Sequence, residues 1–364
     1  MLTNIQILRG VAAYLVVFVH LVELNPDSIL LNSIARISFG GVDLFFVISG
    51  FIMVHTTARR PSEPIEFMVN RFKRIFPLYC SFTLLAFAVA LISPTTLKST
   101  TPDLFQLFKS LTFIPFEKSP GRIYPTYYLG WTLNYEMFFY SIFAASMAIS
   151  YAKRVLFTSA AIIVLSLSSV LLTVEGNIIA YFYTRPIMLD FVLGMLIAAN
   201  VGHLKSVAGR YPGLPWLTLG AGLLGLLTLP ALFPGAPSAY APPTDTFLRF
   251  GLPSALIVIG AIGLEGSASR SGRLTLMREI GDASYSIYLS HFLVVGAAVA
   301  VANELRLGTA ERLIMSLLTL AVIGLCGILL YRFFEKPIGI VLGRWPVRLD
   351  GITPAAGRVI RSSR

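Results

Sequence analysis

Two ionisable side chains, Arg9 and His20, lie inside the first long apolar stretch of the chain, NIQILRGVAAYLVVFVHLVEL. An ionisable group in hydrocarbon costs at least ~2.5–3.5 kcal/mol on insertion scales, so each marks a candidate functional position. On a helix, their separation carries them about 20° past three full turns, on one stripe and roughly 16 Å apart. Arginine supplies a permanent cation with a planar fork that suits phosphate. Imidazole titrates near neutrality and suits proton transfer. A snorkelling arginine and a packing histidine account for the same two residues taken alone.

Further polar groups follow in the same manner. Asp43 opens the run GGVDLFFVISGF, where an acid also complements the helix dipole. Gly40, Gly41 and Gly50 in that run permit close backbone approach. Arg71 and Arg74, in EFMVNRFKRIFPLY, are three residues apart and share a helix face. They form either an ordinary basic interfacial helix or an anion clamp. Glu136, in LGWTLNYEMFFY, lies about two turns into its apolar run with no cation beside it in sequence, whereas Trp131 and Tyr135 suit an interfacial aromatic belt. His291, in SYSIYLSHF beside Tyr288 and Ser290, is equally a structural or a site histidine. Asp190 is a buried acid without an assignable role, and His55 and His203 sit near span boundaries. No metal or bound cofactor is expected from these residues.

The elements that must position these groups are membrane helices. The chain has 364 residues, 55% apolar and 13% charged, with a mean hydropathy of +0.76. Soluble domains carry about 25% charged residues, which excludes an ordinary soluble enzyme and any disordered chain. Ten apolar spans are expected, near 4–23, 40–57, 76–93, 130–150, 155–173, 185–201, 214–233, 248–266, 284–302 and 311–333. The segment 104–114 is too short to cross and is expected to lie along the interface or re-enter. The Pro/Gly-rich piece 229–243 reads as a loop. Residues 1–335 would form one transmembrane domain, and 336–364 a short basic tail. The first span, carrying Arg9 and His20, reads as a retained helix rather than a cleaved signal. Cys80 and Cys326 both lie in apolar runs and are expected to be free thiols.

The formal net charge is +11. With the N-terminus cytoplasmic, 19 of the 29 Lys and Arg residues fall in inner loops and the tail, so the positive-inside rule places both termini in the cytoplasm. The excess charge is then a topology signal, and no nucleic-acid partner is inferred.

Taken in order, Arg9 to His20, GVDLFFVISGF (41–51), RFKR before IFPLY (71–74), WTLNYE (131–136) and SYSIYLSH (284–291) resemble the type 3 acyltransferases, a family of bacterial membrane O-acyltransferases. The resemblance covers nearly the whole chain and is closest to the stand-alone branch that decorates exopolysaccharides. It implies an all-α bundle in the bacterial inner membrane. Acyl-CoA, most simply acetyl-CoA, would be the cytoplasmic co-substrate. A hydroxyl of an exopolysaccharide or of its lipid-linked repeat unit would be the acceptor. Carried over by motif, Arg9, Arg71 and Arg74 correspond to the CoA end, His20 to the family's essential histidine and Glu136 to its conserved glutamate. Asp43, Trp131, Tyr288 and His291 fall within matching motifs. His20 is then expected to act as general base, supported by Glu136 or Asp43, with direct transfer and an acyl-enzyme route both open. The rival class is a secondary transporter of a small anionic solute, which also uses midplane ionisable groups. It should show two related halves, but the polar motifs here crowd into the first.

Overall fold

Each of the ten apolar stretches carries a helix, because a peptide group inside hydrocarbon must satisfy its hydrogen bonds within its own segment. The structure, a computed structural model, describes residues 2–93, 102–119, 121–172, 177–233, 246–265 and 274–344. The first half contains helices α1 (Thr3–Leu21), α2 (Ile29–Ser38), α3 (Gly40–Arg59), α4 (Pro64–Ile92), α5 (Leu104–Leu111), α6 (Gly130–Ile149) and α7 (Arg154–Ser168). The second half adds α8 (Ile178–Tyr183), α9 (Leu189–Ala199), α10 (Val201–Arg210), α11 (Leu214–Leu232), α12 (Leu252–Gly263), α13 (Leu274–Asp282), α14 (Ser284–Glu304), α15 (Thr309–Leu330) and α16 (Lys336–Gly343). Much of the expected 229–243 loop, and the tail beyond 344, lies outside the described residues.

Length and composition qualify fewer of these helices as spans than the ten expected. Six segments are long and apolar enough to cross: Thr3–Leu24, Ile29–Arg59, Pro64–Ile92, Leu214–Leu232, Ser284–Glu304 and Thr309–Gly343. A pair bent by 64°, Pro186–Ala199 with Val201–Arg210, makes seven. The apolar helices Arg154–Ser168 and Phe247–Gly263 are shorter, and α6 is diluted by Asn134 and Glu136 along its 20 residues. The 104–114 segment forms only the eight-residue α5, too short to cross. Cys80 and Cys326 are unpaired.

Helix α3 is central: 67% of the apolar window of Ile29–Arg59 is buried, against 17% for Leu214–Leu232, whose Leu217 and Leu224 face outward as lipid-facing residues do. Its tightest partner is α9. A Cβ on Gly50 would stand 2.1 Å from the Phe191 carbonyl oxygen, and one on Gly194 would stand 1.9 Å from that of Val47. Only hydrogen fits at either position, so the two backbones touch. On its other sides α1 packs against α3, α13 and α14, which carries its polar stripe into the bundle interior.

At the end of the bundle away from Arg59 and Arg60, the chain between α5 and α6 is tied down rather than loose. A two-stranded hairpin, β1 (Glu117–Ser119) and β2 (Arg122–Ile123), turns through Gly121 at φ 75°. The Thr126 amide donates to Ser110 Oγ at 2.8 Å, Tyr183 OH to the Phe113 carbonyl at 2.9 Å, and Tyr127 OH to the Leu289 carbonyl. These bonds hold Tyr128 against His20 of α1 and Phe292 of α14.

Candidate active site

Four helices contribute the charged groups of one cavity of about 360 Å³, a volume within the usual range for small-molecule sites. Arg9 and Gln6 enter from α1, Arg71 and Arg74 from α4, Glu136 and Tyr140 from α6, and Asp282 from α13, with Tyr285 and Tyr288 of α14 closing the interior. Polar side chains at 3- and 4-residue spacings face one way on a helix, which is how α1 and α6 each present two groups here.

Within the cavity the hydrogen bonds are specific. Ser49 of α3 donates to Glu136 Oε1 at 2.6 Å, and Tyr140 OH donates to the same oxygen. Gln6 receives Arg9 Nη1 at 3.4 Å and donates to Asp282. Arg74 pairs with Glu335 at 3.6 Å, whose other oxygen accepts from Ser286 at 2.7 Å. Arg71 lies over the Phe67 ring at 5.6 Å, and its Nε is buried without a hydrogen bond among the described residues. The three arginines therefore converge on one space, with the Glu136 carboxylate held deeper by two hydroxyl donors.

His20 belongs to a second, adjoining group. Its Nδ1 lies 3.4 Å from Glu23 Oε1, one helical turn on. Its ring stands 5.2 Å from that of His291, 5.4 Å from Phe292 and 6.0 Å from Tyr128. His291 Nδ1 meets the Tyr288 carbonyl at 2.6 Å, and its Nε2 is buried without a partner among the described residues. Tyr288 joins the two groups. It lines the arginine cavity, its ring is 5.9 Å from His291, and its hydroxyl bonds Thr132 Oγ1 at 2.7 Å.

Of the residues singled out from sequence, Arg9, Arg71, Arg74, Glu136 and Tyr288 share the cavity, and His20 and His291 share the adjoining group. Asp43 joins neither: it is buried against Asp190 of α9, with Thr246 and Arg249 beside it. Trp131 does not line the cavity and packs edge-on to Tyr135 at 6.0 Å. The carboxylate against His20 is thus that of Glu23, whereas Glu136 faces the arginines. Sequence reasoning passed over Glu23 although His20-x-x-Glu23 is a legible turn spacing. Tyr140 stands in the same relation to Glu136, four residues on. Ser49, Asp282, Tyr285 and Glu335 carried no local signal. Among the described residues no three His, Cys, Asp or Glu side chains are grouped to hold a metal ion.

Residues 2–331 match a family model described as an acyltransferase domain. The chain is 32% identical over 318 residues to the exopolysaccharide production protein ExoZ of Rhizobium meliloti (strain 1021), an alignment spanning 83% of this chain and 90% of that protein. It is 24% identical over 339 residues to the acyltransferase MdmB of Streptomyces mycarofaciens, spanning 83% of this chain and 81% of that one. No solved structure matches.

Proposed function

The chain belongs to the type 3 acyltransferase family of membrane proteins, and on that premise we propose that it moves an acyl group, most simply acetyl, from cytoplasmic acyl-CoA to a hydroxyl of an exopolysaccharide or its lipid-linked repeat unit at the outer face of a bacterial inner membrane. The observation that carries this reading is the convergence of Arg9, Arg71 and Arg74 on a cavity whose far wall, Tyr288, also touches the His20 group. Guanidinium forks suit the phosphates of CoA. The same cavity is lined by Glu136 and Tyr288 as well as by the arginines, and the thioester arm would lead along it from the arginines towards Tyr288. The family membership sets aside the transporter alternative.

At the far end His20 takes the proton of the acceptor hydroxyl. With Nδ1–H donated to Glu23, the lone pair resides on Nε2, and the carboxylate fixes which nitrogen is the base. The acceptor oxygen then bonds the acyl carbon, the carbon–sulfur bond breaks, and the CoA thiolate leaves towards the basic face. It takes a proton from water there, and His20 gives the acceptor's proton back to water on its own side, so that the base is regenerated. Glu136, clasped by Ser49 and Tyr140, acts on the donor side, keeping the arginines oriented around the arm. Asp43, pressed against Asp190, serves the packing of α3 on α9 rather than the chemistry.

The test is acyl transfer from labelled acetyl-CoA by the reconstituted chain, together with the acyl content of polysaccharide from deletion and complemented strains. Arg71→Ala and Arg74→Ala should raise the KM for acetyl-CoA by about tenfold or more, the usual loss for a charged hydrogen bond, with a smaller fall in kcat. Lysine should rescue only in part, lacking the planar fork. His20→Ala should remove transfer while the protein remains inserted. Unchanged polysaccharide in the deletion strain, or unaltered acetyl-CoA kinetics in both arginine variants, overturns the reading.

A further inference from the structure

Lys118, in strand β1, carries a cation that the mechanism above does not use. Its Nζ is shielded from solvent and makes no hydrogen bond among the described residues; its contact is the face of Tyr124, 5.4 Å away. The charged groups of the hairpin and of the elements it joins have contacts of their own. Glu117 gives its carboxylate to the Gly121 amide at 2.6 Å, Lys109 sits over Phe105 at 4.3 Å and Phe116 at 5.9 Å, and Glu23 faces His20. Arg122, across the hairpin, has contacts of its own. A desolvated ammonium without an anion is costly, so such a site is completed by one. Burial lowers this amine to about 8, which leaves it mostly protonated at neutral pH.

From Lys118 a run of rings leads back to the histidine. Tyr124 meets Tyr128 edge-on at 5.3 Å, Tyr128 stacks on Phe292 at 5.6 Å, and both Tyr128 and Phe292 touch His20. Aromatic faces with a few polar groups are the usual lining of a small-molecule site, and the C–H faces of a sugar ring suit them.

We propose that this strip is the acceptor subsite, in which the ring to be acylated lies against Tyr128 and Phe292 beside His20 and Lys118 binds an anionic group, carboxylate or phosphate, on the same acceptor. The inference rests on the acyl-transfer reading and adds the class of acceptor: an acidic carbohydrate. Below about pH 8 the amine is charged and the preference is present. As the pH rises past that value the charge and the preference are lost, somewhat later with the anion bound, since the anion favours the protonated form.

The experiment measures kcat/KM with labelled acetyl-CoA for three probes: a glucose–glucuronate oligosaccharide, the same oligosaccharide with its carboxyl reduced to the alcohol, and the reduced form carrying a 1-phosphate. The full chain, in nanodiscs, should prefer an acidic probe over the reduced one by about tenfold or more, as expected for a charged hydrogen bond. Lys118→Ala and Lys118→Gln should bring that ratio towards one, Lys118→Arg should keep it, and in the native chain it should fade above pH 8. A preference confined to the carboxylate probe or to the phosphate probe identifies the anion. No preference in the native chain, or one that survives both neutral variants, overturns the inference and leaves acyl transfer standing. Failure to acylate any of the three probes while acetyl-CoA still binds removes the carbohydrate reading itself.

Discussion

At the scale of single residues, the proposed base, His20, and the carboxylate against it, Glu23, lie three positions apart on one turn, whereas Glu136, the glutamate expected to support the base, faces another space. Glu23 stands 3.4 Å from His20 Nδ1, so Glu23→Gln keeps a group of the same shape but lets the imidazole turn or change tautomer. General base catalysis is worth about 10²–10⁴-fold. Loss of its orientation should cost part of that, at least about tenfold in kcat, with the KM for acetyl-CoA unmoved. Equal losses from Glu23→Gln and Glu23→Ala, with no change in acetyl-CoA binding, fit orientation; wild-type kcat in both would make Glu23 a solvated surface acid. The His20–Glu23 pair was legible because turn spacing is local. The pairing of Glu136 with Ser49 was not, for 87 residues separate them.

At the scale of elements, α3 does two jobs on two faces. Asp43 and Ser49 are six residues apart, which on a helix sets them about 120° from each other. One face therefore meets Asp190 of α9, and the other delivers Ser49 to Glu136. This is why an acid in a family motif need not stand in the cavity. The contact that locks the helix is backbone on backbone, at Gly50 and Gly194. A methyl group on Gly194 has no flexible neighbour to displace, so Gly194→Ala should destabilise by about 1–3 kcal/mol, the usual cost of overpacking. It should lower the midpoint of thermal unfolding in detergent. An unchanged midpoint would mean that α3 and α9 can part without loss. Gly50 was visible in the sequence as a licence for close approach, but the helix that uses it, through Gly194, was not.

At the scale of the whole molecule, the proposed chemistry needs two sides: a basic face for the donor and an opposite face for the acceptor. On the expected ten-span arrangement, 19 of the 29 Lys and Arg residues fall on one side, and the positive-inside rule then predicts Lys153 inside and Asp27 outside; both positions are exposed. Single cysteines there, in a background lacking Cys80 and Cys326, should react with a membrane-impermeant maleimide in intact cells at Asp27→Cys and only after permeabilisation at Lys153→Cys. Labelling of both from the same side would break the two-sided path.

What the sequence determined by itself is what local physics determines. Hydropathy marks where helices form, the 3.6-residue period sets which side chains share a stripe, and charge bias suggests an orientation; five short motifs pointed to the family that the comparisons bear out. By length and composition six or seven described helices qualify as spans where ten were expected, because an apolar stretch such as α7 carries a shorter helix. Tertiary structure decided which stripes meet. It sent Glu136 to the arginines, Asp43 to Asp190, and the anchored segment between α5 and α6 onto His20, through contacts such as Tyr127 with Leu289, 162 residues apart. Such choices depend on the packing of many helices at once, in which a side chain's partner is set by interhelical shape rather than by its neighbours along the chain.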